Sequence, residues 1–381
     1  MNILLLRTNS CAPDPRVEKE VNSLISDPRN SVKILCWDRD GRKGTFSESL
    51  MLSNGTVPIL RFGIPASWGG GMRANFFPMF KFEWRLFWWL LTRGKQYDMI
   101  HACDLLTGLP AWLLCRILGK KLVYDIFDYY AATQSGPAWI LNLFRKLENA
   151  VINFADATII CSEKRREQIA GSRPKRLTVL HNAPSEKQLE TGEGPLPIFQ
   201  GDGKRIRIVY VGNLVEDRFI MKALACAERL PEIEFHIGGF GVLEERIRNM
   251  AVEQDNIYFY GRLVYRDVLA LEQHCHIMLA LYDPAVPNHV YAAPNKFYEA
   301  LALGKPLLMF RGTGMADIVF EDDLGVACEA TEQGIHDGLQ RLIQRRTEWS
   351  AIGEKMRNLF HERYRWEIME QRLLALYEEL Q

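Results

Sequence analysis

The sequence predicts an α/β protein built from two doubly wound, Rossmann-like domains, and three observations carry that reading. Short, nearly continuous apolar runs alternate with longer helical patterns, as expected of parallel strands covered on both faces. The alternation occurs twice, interrupted between Pro184 and Gly203 by a polar stretch rich in Pro, Gly and Glu that reads as a linker. A chain of 381 residues is also too long for one ordinary core.

The first series of strand candidates is "NILLLRT", beginning at Asn2, then "SVKILCW", "VPILRFG", "DMIHACD", "KLVYDIFD", "ATIICS" and "LTVLHN". The second is "IRIVYVGN", "IEFHIGG", "IYFYGR", "HIMLALY", "PLLMF" and "GVACEA". Two such arrays imply domains facing each other across a cleft, with ligands at the carboxyl ends of the strands. Residues just beyond each strand are therefore the informative ones.

Composition narrows the function classes. Hydrophobic residues make up 48% and charged residues 25%, the balance of a soluble globular chain. The formal net charge is zero, so no global field attracts nucleic acid, and no nucleic-acid partner is expected. Eight scattered cysteines form no C-x-x-C pair, which suggests reduced thiols in a cytoplasmic protein. His274-Cys275-His276 has metal-type residues, but adjacent helical residues point in different directions, so no metal is expected there. The amino terminus lacks the basic start and long apolar stretch of a signal peptide. No run reaches the ~18 apolar residues that a membrane-spanning helix needs.

The segment 75–95, "NFFPMFKFEWRLFWWLLTRGK", stands apart by its density of Phe and Trp among Lys81, Arg85, Arg93 and Lys95. An aromatic-basic helix of this kind can lie in a lipid headgroup layer as a peripheral membrane contact. It can equally pack on the first sheet and fill core space.

The stretch "YAAPNKFYEALALGKP", from Tyr291 to Pro306, is the most specific in the chain. Pro294 suits the first turn of a helix, leaving the N–H groups of Asn295, Lys296 and Phe297 as free donors at a positive helix terminus. Such a terminus binds phosphate, and Lys296 adds a full charge. Glu299, one turn further in, is placed to accept two hydroxyls of a ribose diol.

With these residues quoted, the chain resembles the retaining GT-B glycosyltransferases of the family-four type, which use nucleotide-sugar donors. "PNKFYEALALGKPLL" resembles the family's ribose-glutamate helix and the strand after it. "IVYVGNLVEDRFIMKAL" resembles the element whose basic residue holds the donor pyrophosphate. "FHIGGFG" and "NIYFYGRLVYRDVLAL" resemble the loops around the base, and "HERYRWEIMEQRLLALY" the terminal helix that crosses back to the first domain. "DPRVEKEV", "DMIHACD" and "KLVYDIFDYY" match a looser first-domain pattern. The resemblance implies domains at 1–185, completed by 362–381, and at 186–361.

Carried over, Glu299 would hold the ribose, and the amides of Asn295 and Lys296 the phosphates. Arg218 stands where the family has a phosphate-binding lysine, and its fork suits phosphate oxygens. Gly212 and Asn213 end the first strand of the second domain, with Asn213 in place of the family's pyrophosphate arginine. Gly239 and Gly241 would let the backbone turn near the nucleotide, and the loop at Arg262 and Leu263 would border the base. Tyr291 replaces the first carboxylate of the family's E-x7-E pair, and Phe127 replaces a first-domain histidine.

On the acceptor side, Asp128 is the first choice to orient or deprotonate the acceptor hydroxyl, and Asp125 the second. Asp125 reads equally well as an inward structural residue. His101, at the end of the "DMIHACD" strand, reads as structural or sugar-orienting rather than as a general base. Asp14 and Arg16 are expected to contact acceptor or donor, and the backbone amides from Asn9 to Ala12 to approach the donor phosphate. Arg218, Lys296 and the helix terminus would stabilise charge on the departing diphosphate without a metal or other cofactor.

The implied activity is transfer of a hexose-type sugar to a glycan or lipid-linked acceptor, in cell-surface polysaccharide or glycan biosynthesis. A silent GT-B scaffold subunit and a nucleotide-sugar epimerase remain as alternatives.

Overall fold

A computed structural model describes residues 1–11, 13–40, 42–67, 71–192, 199–201 and 204–381. The expected amide of Ala12 and much of the expected linker lie outside the described residues; the linker's first part, Glu186–Gly192, is helical. The chain divides into two compact units. Unit 1 comprises Met1–Leu180 with Met369–Gln381, and unit 2 comprises His181–Ile368.

Unit 1 holds an eight-stranded sheet: β1 (Asn2–Arg7), β2 (Ser31–Asp38), β3 (Gly44–Leu52), β4 (Gly55–Gly63), β5 (Met99–Cys103), β6 (Lys121–Ile126), β7 (Ala157–Ile160) and β8 (Leu177–Val179). Their order is β3-β4-β2-β1-β5-β6-β7-β8. All neighbours are parallel except β3 and β4. That hairpin corrects the expected all-parallel sheet. β3 is an edge strand with mostly exposed, mixed side chains, so it carries no apolar run to betray it. The Asn54-Gly55 pair at its turn is the sequence signal that marked it.

Unit 2 holds six parallel strands: β9 (Ile206–Asn213), β10 (Ile233–Phe240), β11 (Ile257–Gly261), β12 (Ile277–Ala280), β13 (Leu307–Phe310) and β14 (Gly325–Cys328). Their order is β11-β10-β9-β12-β13-β14. The chain builds outward from β9 through β10 and β11, then returns to β12 on the other side. The crevice beyond β9 and β12 is therefore the switch point where open α/β sheets take ligands.

The helix Gly71–Thr92 carries most of the aromatic segment and packs one side of it on the sheet. Phe82, Leu86 and Leu90 are buried against the sheet, with Phe82 stacked on Trp37 at 4.9 Å. Phe76, Phe77, Phe80, Trp84 and Trp88 are exposed; Phe80 stacks on Trp84, which meets Trp88 edge to face. Among the described residues no helix is long and apolar enough to cross a membrane.

All eight cysteines are buried and free of disulfides. His274 hydrogen-bonds the Ala270 carbonyl at 2.7 Å, and His276 accepts from the Arg207 amide at 3.0 Å. The two imidazoles thus serve separate partners.

Candidate functional site

The switch point of unit 2 gathers two cations around a tyrosine. Arg218 ends a short 3-10 turn just after β9, and its guanidinium lies 4.2 Å from the ring centre of Tyr282, which follows β12. Lys296, in the first turn of the helix Asn295–Leu303, places its ammonium 4.7 Å from the ring centre of Tyr210 on β9. Burial opposes the Lys296 charge, but oxygens of Tyr282, Tyr210, Glu299 and Glu272 outweigh it and hold its pKa above that of an ordinary lysine.

Gly212 leaves room for this arrangement: a Cβ there would lie 2.7 Å from the Lys296 nitrogen. Gly239 faces Gly212 across the β9–β10 pair, and a Cβ on it would stand 1.8 Å from the Gly212 carbonyl oxygen. Its φ of 134° also excludes most other residues. Close approach of the two strand ends explains Gly239 before any ligand is considered. Gly241 has the same character against the Leu214 carbonyl. Asn213 ends β9, its carbonyl accepting from the Tyr210 hydroxyl at 2.8 Å.

The helix terminus differs from its expected form in one respect. Pro294 is the cap rather than the first helical residue, and the Phe297 amide donates to the Pro294 carbonyl at 3.0 Å. That donor, expected to be free, is thus used within the turn. The Asn295 side chain accepts from Asn182 at 2.7 Å.

Glu299 is 3% exposed, accepts a hydrogen bond from the Tyr265 hydroxyl, and shares its surroundings with Lys296 and Glu272. Burial and the Glu299 charge push the Glu272 carboxyl well above the usual range. Leu263 packs toward Gly238, and Arg262 lies over the Phe240 ring at 4.8 Å. Tyr291 closes a 3-10 turn, donating its amide to the Asn288 carbonyl at 3.2 Å.

Sequence reading missed three residues here. Tyr282 is the first polar group after β12, and the end of "HIMLALY" was its only signal. Asp217 and His289 touch Arg218: its Nη1 donates to His289 Nε2 at 3.1 Å and pairs with Asp217 at 2.8 Å. Neither stands out in composition or spacing.

Unit 1 buries most of the residues expected on the acceptor side. Asp125 is fully buried, bound by Arg16 at 2.8 and 3.1 Å. Arg16 is itself buried, pairing with Glu20 at 2.9 Å and donating to the Leu180 carbonyl at 3.1 Å. His101 lies within β5 rather than at its end, with Nδ1 2.7 Å from the Tyr377 hydroxyl and Nε2 3.5 Å from Asp125. These three residues form a buried cluster, which corrects the expected place of His101 at the strand end and agrees with the structural reading of Asp125.

Despite burial, the Arg16 guanidinium holds Asp125 below the usual carboxylate range, whereas burial and the Asp125 charge push Glu20 well above it. Glu20, His101 and Asp125 bring ligand-type atoms within 4.8 Å of one another. Arg16 already sits on both carboxylates, however, and supplies the countercharge a metal would bring.

Asp14 is likewise structural. It caps the helix Pro15–Leu24 by accepting from the Val17 amide at 3.3 Å, while Glu18 accepts from the Asp14 amide at 3.1 Å. Arg7 and Asn9 bind its other oxygen at 3.1 and 2.7 Å.

Asp128 is different: its side chain is 60% exposed and lines a pocket of about 410 Å3 within unit 1, together with Arg7, Asn9, Arg39 and Asp104. The Asp128 and Phe127 amides donate to Asp104 Oδ1 at 3.1 and 2.9 Å, and Arg7 pairs with the other oxygen of Asp104. Asp104 adopts φ 65°, a strained value for a non-glycine residue, in holding this corner. Phe127 is covered by Arg7 and Arg16, whose guanidinium carbons lie 3.9 and 4.5 Å from its ring centre. Arg7 and Asp104 were not singled out in the sequence, although each directly ends or follows a strand.

Comparison with known proteins agrees with this architecture. A family model described as a glycosyl transferase 4-like domain matches residues 28–183, and one described as glycosyl transferase-like matches 216–375. The chain is similar to glycogen synthase of Mycobacterium tuberculosis, 25% identical over 251 residues, covering 62% of this chain and 57% of that protein's length. Among solved structures, sucrose-phosphate synthase from Thermosynechococcus elongatus superposes with a TM-score of 0.73 at 16% identity, over 100% of this chain and 99% of that one. Anabaena HepE in complex with UDP-glucose gives 0.65 at 14%, over 100% of both chains. With two matching domain models covering most of its length on two Rossmann-like sheets, the chain belongs to the GT-B glycosyltransferases of the family-four type.

Proposed function

We propose that this glycosyltransferase moves a hexose-type sugar from a nucleotide-sugar to an acceptor hydroxyl with retention of anomeric configuration, in the synthesis of a cell-surface polysaccharide or glycan. The observation that carries the donor assignment is the pair of cations, Arg218 and Lys296, beside Tyr282 at the switch point of unit 2. Retaining transfer expels a nucleoside diphosphate while the acceptor attacks the same face, so the main task is to stabilise charge growing on the diphosphate. Arg218, Lys296 and the Asn295 and Lys296 amides perform it, with no metal or other cofactor in the scheme. Glu299 binds the ribose diol.

In unit 1, Asp128 orients the acceptor hydroxyl and receives its proton; its exposure in the pocket supports that role over Asp125. The acceptor is lipid-linked. The exposed Phe76, Phe77, Phe80, Trp84 and Trp88 rest on the cytoplasmic face of the membrane, where aromatic rings favour the headgroup layer.

UDP-, GDP- and ADP-sugars mixed with lipid-linked saccharides should yield a glycosylated lipid, and NMR should show an anomeric configuration matching the donor. An inverted product sinks the retaining assignment, and no binding of any nucleotide-sugar sinks the donor assignment. Flotation with anionic vesicles should recover the protein, and Phe77→Ser/Trp84→Ser should lower recovery several-fold. Equal recovery of the variant refutes the membrane contact.

A further inference from the structure

Arg218 is held in an unusual way. Among the described residues, its polar side-chain contacts all fall on Nη1: Asp217 Oδ1 at 2.8 Å, the Asp217 carbonyl at 3.4 Å and His289 Nε2 at 3.1 Å. The Tyr282 ring covers the guanidinium plane at 4.2 Å. One corner of the fork is therefore pinned, and the edge bearing Nη2 is left to take an oxyanion.

His289 can accept at Nε2 only as a neutral ring with its proton on Nδ1. The fold sets that tautomer, because Nδ1 lies 2.9 Å from the Asp283 carbonyl, which can only accept. The ring is 6% exposed and meets Tyr282 edge to face at 5.3 Å, so it has little freedom to turn.

We infer, resting on the assignment of Arg218 to the donor phosphates, that His289 is a positioning residue for Arg218 and makes donor binding sensitive to acid. Protonation places an N–H and a positive charge against Nη1, 3.1 Å away, in place of an acceptor. Arg218 then loses one anchor and is repelled from the others. The charged and titratable groups facing His289 are Arg218, Asp217 (Oδ2 at 3.7 Å from Nε2), Asp283 and the phenol of Tyr282. Burial and then Arg218 lower the His289 pKa, with Asp283 and Asp217 opposing. The neutral ring therefore persists through neutral pH, and the change falls on the acid side of an ordinary histidine.

The test measures affinity for UDP-glucose, GDP-mannose and ADP-glucose by calorimetry between pH 5 and 8. Nucleotide-sugars suit it because their diphosphate diester carries no proton ionising near neutral pH. Four proteins are compared: wild type, His289→Gln, His289→Ala and Arg218→Ala. Gln keeps an acceptor and cannot become cationic, so it should bind nearly as wild type at pH 7.5 and lose the acid decline. Ala should weaken binding about tenfold at every pH, the scale of one hydrogen bond to a charged group.

If Arg218→Ala binds as wild type, the phosphate assignment fails. If Arg218→Ala loses binding but His289→Gln declines in acid like wild type, the role given to His289 fails and the phosphate assignment stands. Long-range proton–nitrogen spectra of wild type at pH 7.5 give a check independent of the variants. They should show a neutral His289 protonated at Nδ1; protonation at Nε2 overturns the inference.

Discussion

The two units treat charge at their sheets in opposite ways. In unit 1, Arg16, Glu20, His101 and Asp125 neutralise one another in the core, and none faces solvent. In unit 2, Arg218 and Lys296 each stand beside a tyrosine ring, and among the described residues the polar contacts of Arg218 fall on one corner of its fork. Both groups lie on or near strands that a motif reading marks as functional. A charged residue close to a strand end is thus open to a ligand only if the fold leaves its charge unspent.

The largest expected effect comes from breaking the unit 1 cluster. Arg16→Met leaves Glu20 and Asp125 buried without their cation and should destabilise the protein by about 3–5 kcal/mol in urea unfolding. A loss below about 1 kcal/mol would show the cluster to be solvated. The exposed carboxylate should behave in reverse. Asp128→Asn is expected to lower kcat about 10²-fold, the scale of removing a general base, with the urea midpoint unchanged. Equal losses of stability in Asp128→Asn and Asp125→Asn would erase the distinction between the two residues.

A smaller effect is expected from Lys296→Met, which keeps most of the buried volume. UDP-glucose affinity should fall about tenfold, as for loss of one charge-assisted contact. Unchanged affinity would mean that the Lys296 charge is spent internally on Glu299 and Glu272.

The smallest effect is a slope. Glu148 is buried in unit 1, and desolvation pushes its carboxyl up to about 8. A raised carboxyl keeps its proton in the folded state while the unfolded chain has lost it. Its contribution is therefore fully present below the unfolded value near 4.5 and fades as pH rises through about 8. Stability should decline across that window by less than about 1.4 kcal/mol per pH unit, and Glu148→Gln should flatten the decline. An unchanged slope in the variant would place the titration elsewhere.

Much of the fold was legible because its strands are buried on both faces and must be written in apolar runs. "IRIVYVGN" coincides with β9, and "PLLMF" contains β13. β3 escaped because an exposed edge strand needs no such run. In unit 2, the positions of Lys296, Glu299 and Arg218 were readable from local order: a proline, a helix start, a strand end. The roles of Arg16, His101 and Asp125 were not, because they depend on which side chains meet across the sheet, as with Arg16 and Asp125, 109 positions apart. His289 was hidden for the same reason, since only folding brings it to Arg218, 71 positions away.

The terminal residues have a consequence for how the protein is made. Tyr377 hydrogen-bonds His101 across 276 positions of sequence, and the Leu380 carbonyl takes the Lys121 ammonium. Translation runs from the amino end, so unit 2 leaves the ribosome before unit 1 receives its closing segment. A nascent unit 1 holds His101 and Lys121 without these partners throughout synthesis of the other unit. The half made first is therefore the last to be finished, and a ribosome stalled before residue 369 would display an open unit 1.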